Sequence, residues 1–274
     1  MLIRMRTRLC LLATLFLALL WAQQPAPEGT QTYEQFRRWI SMQPVDVQRG
    51  PDVHAKYREH LRTTGLNDAA IDAQLDLIRK HGQRLEVERW NRILTAERPT
   101  FNTAPNAFLV EMAKGRKPGK ALDVGMGQGR NAIWLAQQGW ETTGFDPAER
   151  AVAAADAMAQ KLGITLYTQV AGAEQFDFGR NRWDLILLSY VGGREFKDRI
   201  MQALRPGGIV VVEAFHRDAT KGRSIGGGVV FDTAELPLLF KDLRVVRYQE
   251  PMSIADFGQT RVRVVQFCAE KPAE

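Results

Sequence analysis

The chain has 274 residues, enough for one large domain with a small addition, and its 45% hydrophobic content is that of an ordinary globular protein. The formal net charge of +6 comes partly from Arg4, Arg6 and Arg8, and the other basic residues are interspersed with acids. There is thus no basic stripe of the kind that binds nucleic acid. Cys10 and Cys268 form no disulfide framework, and the dispersed His54, His60, His81 and His216 have no metal-ligand spacing, which argues against a protein metal site.

Residues 1–22 begin with arginines, continue as an apolar run over 9–22 and exit into Gln23, Gln24 and Pro25. This is the pattern of an export signal, with Ala22 as the cleavage point and Leu20 and Trp21 making that point imperfect. The run is short for a membrane span, which needs about 20 apolar residues. Left uncleaved, residues 9–22 would act as a membrane tether. Either arrangement places the following domain in an exported compartment, periplasmic or secreted.

Residues 23–99 read as a helical extension. A linker over 25–30 leads to a helix over 33–42, with Phe36, Trp39 and Ile40 on one side, and then to a helix over 51–62. The turn at 64–67 ends that helix, and Asn67 can cap the next. From Asp68, the residues Ile71, Leu75 and Ile78 recur at helical spacing, and a second helical stretch over 85–96 is stopped by Pro99. The region is too small and too charged to stand alone, and is expected to pack on the main domain, over its ligand cleft.

Residues 100–274 alternate between strands and helices. A short helix over 106–114 precedes strands at 121–124, 141–145, 165–170, 183–190 and 209–215, with helices at 131–138, 148–162 and 195–204 between them. The run 183–190 is almost wholly apolar, as a strand buried on both faces should be. The alternation predicts an α/β fold, doubly wound on a mainly parallel sheet, with ligands at the carboxyl ends of the strands. Two further strand-like runs, 242–250 and 260–270, have no long helix between them and are read as a C-terminal antiparallel pair.

The first strand runs into Asp123-Val-Gly125-Met-Gly127-Gln-Gly129-Arg-Asn131. Alternating glycines let backbone approach a ligand closely, and the helix that begins there presents free N–H groups to it. Gly127, Gly129 and Ala132 fit the dinucleotide pattern G-x-G-x-x-G/A. The competing reading rests on Asp123, at the tip of a buried strand. A carboxylate there needs a partner, and a cofactor with a cationic amino acid portion would provide it. Asp146, at the end of the second strand and about 20 residues beyond the turn, is placed to accept ribose hydroxyls.

With these residues and Gly144-Phe145-Asp146, the chain resembles the class I S-adenosylmethionine-dependent methyltransferases over residues 100–270. Trp183-Asp184-Leu185-Ile186, the turn in Leu204-Arg205-Pro206-Gly207-Gly208 and the terminal antiparallel pair add to the likeness. Gly127-Gln-Gly129-Arg-Asn131 is most similar in wording to the small-molecule enzymes of the tellurite and thiopurine resistance type. The resemblance implies a Rossmann-like fold and S-adenosylmethionine as cofactor. It implies transfer of the methyl group to a small-molecule nucleophile by in-line displacement. Asp123, Gly125, Gly127 and Gly129 would line the methionine part, Asp146 would hold the ribose, and Asn131 would be a further cofactor contact. The family often has an acid after the third strand for the adenine amino group. Here the Ala173 backbone or Glu174 stands in that region.

A sulfonium is already a good leaving group, so a catalytic base is optional. The candidates for catalytic roles are Tyr190, at the end of the fourth strand, which could shape the pocket through its ring or hydrogen-bond a nucleophile, and His216, after the fifth, which could be a general base. Each has a plainer alternative: a packing tyrosine and a surface-loop histidine. The loop 222–228, with four glycines, is either a flap over substrate or a flexible connector. Two other functions stay open on these residues. One is an exported, non-catalytic binding protein built on a cofactor fold; the other is an NAD-dependent reductase.

Overall fold

The computed structural model describes residues 28–273, and the expected leader, residues 1–22, lies outside them. The strands are β1 (Lys120–Val124), β2 (Glu141–Asp146), β3 (Tyr167–Val170), β4 (Trp183–Ser189), β5 (Leu204–His216), β6 (Val230–Phe231), β7 (Arg244–Gln249), β8 (Met252–Ile254) and β9 (Arg261–Glu270). They form one sheet in the order β3-β2-β1-β4-β5-β9-β7, with β6 beside β5 and β8 beside β9. Strands β1 to β5 run parallel, in registers such as Asp123 opposite Gly144 on one side and Leu187 on the other. Strand β9 enters antiparallel between β5 and β7, as the C-terminal pattern predicted. The order reverses between β1 and β4, and a crevice opens outside the carboxyl ends of strands at such a point.

Alternation along β1 and β4 divides the core between the two faces of the sheet. Leu122, Val124, Ile186 and Leu188 pack with Phe145, Phe178 and Trp183 on one face. Ala121, Leu185 and Leu187 pack with Phe108, Leu109, Leu135 and Trp140 on the other. The helices of this domain are α5 (Ala107–Ala113), α6 (Arg130–Gln137), α7 (Glu149–Leu162), α8 (Lys197–Ala203) and α9 (Glu235–Leu239), preceded in the extension by α1 (Thr30–Ser41), α2 (Val45–Arg49), α3 (Val53–Thr63) and α4 (Asp68–Leu94).

The two helical stretches expected after Asp68 are one continuous helix, α4, of 27 residues. Gly82 lies inside it and is buried, and a Cβ there would sit 3.1 Å from Tyr33 Cε2. The glycine is where α1 crosses close to α4. Asn67 caps α4 as expected, its Oδ1 accepting the Ala70 N–H at 2.9 Å. The first half of α4 joins Phe36, Trp39, Tyr57 and Leu61 in a small core of the extension's own. Its second half leaves that core, and Leu94 packs with Phe101, Ala148 and Ala151 of the main domain. Asn91, fully buried, clips the two parts together: its Nδ2 donates to Glu149 Oε1 at 2.8 Å and its Oδ1 accepts the Arg150 N–H at 2.9 Å.

Candidate active site

The loops that follow β1, β2 and β4 enclose a cleft of about 270 Å³ at the reversal of strand order. Its wall includes Gly125, Met126, Gly127, Arg130, Asn131 and Asp146, together with Ser189 at the end of β4 and Tyr190 and Val191 after it. Leu94 and Trp90 close it from α4 and Phe257 from the β8–β9 connection.

Gly125 has φ +64°, and a Cβ there would lie 2.6 Å from Val191 Cγ2, so only glycine keeps both the turn and the space beside it. The Gly127 N–H donates to Asp146 Oδ2 at 2.9 Å, which ties the turn to the end of β2. Gly129 is predicted as a cofactor contact, but it is not part of the wall. A Cβ there would lie 2.9 Å from Ala155 Cβ, so its missing side chain serves the close packing of α6 on α7.

Asp123 is buried beneath the turn, at 1% exposure, and does not line the cleft itself. One of its oxygens accepts the Ala132 N–H, while Oδ2 has no hydrogen-bond partner among the described residues. Burial pushes its carboxyl up to about 7, opposed by Arg130 and the Ala132 N–H and reinforced by Asp146. Asp146 lines the cleft with both oxygens engaged, Oδ2 by Gly127 and Oδ1 by the Ala148 N–H at 2.8 Å. Burial raises it above the usual carboxylate range, although both N–H bonds favour its charged form. Asn131 also lines the cleft, and its Oδ1 accepts the Asn106 N–H at 2.8 Å.

Four further sequence expectations need correction. Ala173 and Glu174 do not line the cleft. The turn at Gly172 accepts the Gln175 and Phe176 N–H groups, and Phe176 stacks on Phe145 at 4.1 Å. Glu174 is thereby left exposed, and the Ala173 carbonyl is taken by Arg199 Nη1 at 2.6 Å. Tyr190 does reach the cleft, but as a ring rather than as a proton carrier. Its hydroxyl donates to Glu213 Oε1 at 3.0 Å and accepts the Asp256 N–H at 3.2 Å, and burial together with Glu213 raises its pKa far above the ordinary tyrosine value. His216 faces away from the cleft: Nδ1 accepts the Asp218 N–H at 3.1 Å, capping the turn Arg217–Thr220, and Nε2 pairs with Thr233 Oγ1 at 2.9 Å.

Tyr190 carries a second mark of a constrained site. Its φ of +56° lies in the left-handed region, uncommon for a bulky residue, and its N–H is fixed to the Glu213 carbonyl at 2.7 Å. Glu213 belongs to a buried polar network that the sequence reading did not assemble. Asn106 Nδ2 donates to Glu213 Oε1 at 2.7 Å and to Asp256 Oδ2 at 2.8 Å. Gln266 Nε2 donates to Glu213 Oε2 at 2.6 Å, and Arg130 Nη2 donates to Asp256 Oδ2 at 2.7 Å and to Ser189 Oγ at 3.2 Å. A lone glutamate in the apolar run 209–215 and an asparagine just before a helix were its visible signals; Asp256 had none.

A second and larger cavity, about 720 Å³, adjoins the cleft and shares Trp90, Tyr190, Val229 and Phe257 with it. Its outer walls are Tyr33, Phe36 and Ile40 of α1, Glu86, Arg89 and Ile93 of α4, and residues 223–226 of the glycine-rich loop. The helical extension therefore does lie over the ligand region.

A parallel sheet that reverses at β1–β4, an antiparallel strand beside β5, and a glycine turn flanked by two acids define the fold and cofactor cleft of a class I methyltransferase. Residues 121–208 match the family model described as a methyltransferase domain. The chain is 25% identical over 157 residues to the probable S-adenosyl-L-methionine-dependent methyltransferase TehB of Haemophilus influenzae, covering 55% of this chain and 54% of that protein. It is 27% identical over 148 residues to ribosomal RNA small subunit methyltransferase C of Alcanivorax borkumensis, covering 48% and 45%. The crystal structure of TehB from Haemophilus influenzae aligns with a TM-score of 0.53 at 22% identity, over 61% of this chain and 62% of that one. The chain spans about half the length of the curated relatives it matches. Residues 121–208 thus carry a methyltransferase domain, on the fold of a relative named for its dependence on S-adenosyl-L-methionine.

The residues present suit that cofactor. Asp123 Oδ2 is a buried acceptor with an unmet demand for a cationic or donor partner. Asp146 offers its remaining acceptor capacity at the cleft wall, where two ribose hydroxyls would meet it. The Gly125 and Gly127 backbone leaves room for close approach.

Proposed function

We propose that this protein transfers a methyl group from S-adenosylmethionine to a small-molecule nucleophile. The observation that carries the reading is the second cavity, an aromatic-walled chamber joined to the cofactor cleft at Trp90, Tyr190, Val229 and Phe257. Its volume is in the range of sites for small ligands, roughly 300–1,000 Å³. The interspersed surface charge supports a small acceptor over a nucleic acid.

S-adenosylmethionine supplies, when bound, a methyl group on a sulfonium centre that is already a good electrophile. The chain contributes position and dryness. Asp146 and the turn Gly125–Gly127 hold the cofactor's end of the cleft, with Asp123 beneath it as counter-charge. Trp90, Tyr190 and Phe257 stand at the junction of the two cavities, where they exclude water and restrict the acceptor's approach. The hydroxyl of Tyr190 and both ring nitrogens of His216 are committed to other partners, so neither serves as the base. Ordering by the site, with an acceptor that ionises by itself or loses its proton to water, is the mechanism these residues support.

The test is a methyl-transfer screen over thiols, amines, phenols and metalloid oxyanions, read as formation of S-adenosylhomocysteine. Turnover with one class supports the reading, and no turnover with any of them counts against it. We place the activity in an exported compartment on the strength of the leader pattern in residues 1–22. A reporter fused after Thr30 is expected to be active outside the cytoplasm, and activity confined to the cytoplasm would overturn that placement.

A further inference from the structure

The larger cavity is charged unevenly. Among the described residues, Arg37, Arg89 and Arg223 line it, against a single carboxylate, Glu86. Glu86 is shared: Oε2 accepts from Arg37 and, at 3.1 Å, from the Tyr33 hydroxyl, while Oε1 accepts from Arg89 Nη1 at 3.2 Å. The Arg89 guanidinium lies 5.0 Å over the Trp90 ring, one of the four residues at the junction with the cofactor cleft. Burial and the neighbouring Arg37 both hold the Arg89 guanidinium below its ordinary pKa, and Glu86 compensates only in part. Glu34 also acts on Arg89, but it is exposed and does not line the cavity.

Another arginine cluster is balanced. Arg49, Arg194 and Arg217 are met by Asp46, Asp232 and Glu235 in a connected set of ion pairs. Arg49 and Arg194 reach main-chain carbonyls as well, at Gly227, Gly228 and Val230. That set is structural, three cations on three carboxylates. The Arg37–Glu86–Arg89 set leaves a cation over, and it does so on the wall of a chamber.

We infer that the acceptor chamber selects a small aromatic or conjugated molecule that carries a negatively charged group, such as a carboxylate. The charged group lies against the Arg37 and Arg89 guanidiniums, and the planar body lies among Phe36, Trp90, Tyr190, Phe215 and Phe257. Guanidinium groups pair with carboxylates through charge-assisted hydrogen bonds and stack on planar faces, so both parts of such a molecule are recognised. A bare inorganic oxyanion satisfies the cations but leaves the aromatic walls unused. A cationic amine leaves the surplus charge unpaired. This assignment rests on the chamber being the acceptor site of the methyltransferase.

The test is calorimetric binding to the full chain saturated with S-adenosylhomocysteine. The probes are 4-hydroxycinnamate, its uncharged methyl ester, and tyramine. The acid is expected to bind roughly tenfold tighter than the ester or tyramine, the difference that a charge-assisted contact provides. Arg37→Gln should remove most of that preference and leave the ester's affinity unchanged. Glu86→Gln frees both arginines and should tighten binding of the acid, a gain that misfolding cannot imitate. Equal or weaker binding of the acid, or an Arg37→Gln loss shared by all three probes, would overturn the assignment. If the acid is preferred but S-adenosylhomocysteine does not bind, the methyltransferase reading fails and the charge preference stands.

Discussion

Asp123 holds a carboxyl where a carboxylate is disfavoured. Its folded-state pKa of about 7 lies above the unfolded value of about 3.9, so the folded protein retains a proton that the unfolded chain has released. Below about pH 4 both states are protonated and nothing is lost. As pH rises from there, stability falls, and the full penalty is present above about pH 7. Asp123→Asn should therefore stabilise the cofactor-free protein near pH 8 by on the order of 2–4 kcal/mol and change little near pH 4. Chemical denaturation at the two pH values checks this, and a destabilised variant near pH 8 would contradict it. In the proposed site Asp123 is the counter-charge for the cofactor's ammonium group, so stability gained and affinity lost should appear together in this variant. Tyr190→Phe is the complementary case. It should leave the pH profile of methyl transfer unshifted, because the hydroxyl is not the base. It should cost about 1–3 kcal/mol of stability, because Glu213 and the Asp256 N–H each lose a buried partner.

At the scale of elements, the turn between β1 and α6 does two jobs with three glycines. Gly125 and Gly127 clear the cleft, and Gly129 lets α6 approach α7. Gly129→Ala puts a Cβ at φ +78° and within 2.9 Å of Ala155 Cβ. It should lower stability by about 1–3 kcal/mol through strain and the contact, measured by thermal denaturation, with the Gly125–Asp146 wall retained. A neutral effect would show that α6 and α7 can separate at no cost. The strands of this sheet were legible because a parallel strand covered on both faces writes an apolar run, as 183–190 does. Helix α4 was not legible as one element. Its first half faces the extension's own core and its second half faces the main domain, so the apolar stripe changes direction around Gly82. His216 was misread for a related reason. A strand end locates the backbone, but the side chain turns back to cap the following turn.

At the scale of the whole molecule, two separate units are assembled into one site. The sheet brings Asp123, Asp146 and the glycine turn together, and these were readable because they lie within a short span of sequence with fixed spacing. The polar network beneath Tyr190 was not readable. Asn106, Glu213 and Asp256 are 107 and 150 positions apart in their hydrogen-bonded pairs, and only the closed fold makes them neighbours. The extension supplies Trp90, Leu94 and part of the wall of the adjoining chamber, so it helps to form the candidate site. The central claim is that the cleft binds S-adenosylmethionine through Asp146 and the turn. Titration calorimetry of the full chain with S-adenosylhomocysteine tests it most directly. Saturable one-site binding is expected, weakened by about 1–3 kcal/mol in Asp146→Ala, with NAD giving no heat. Binding of NAD instead, or an S-adenosylhomocysteine affinity unchanged by Asp146→Ala, would contradict the account.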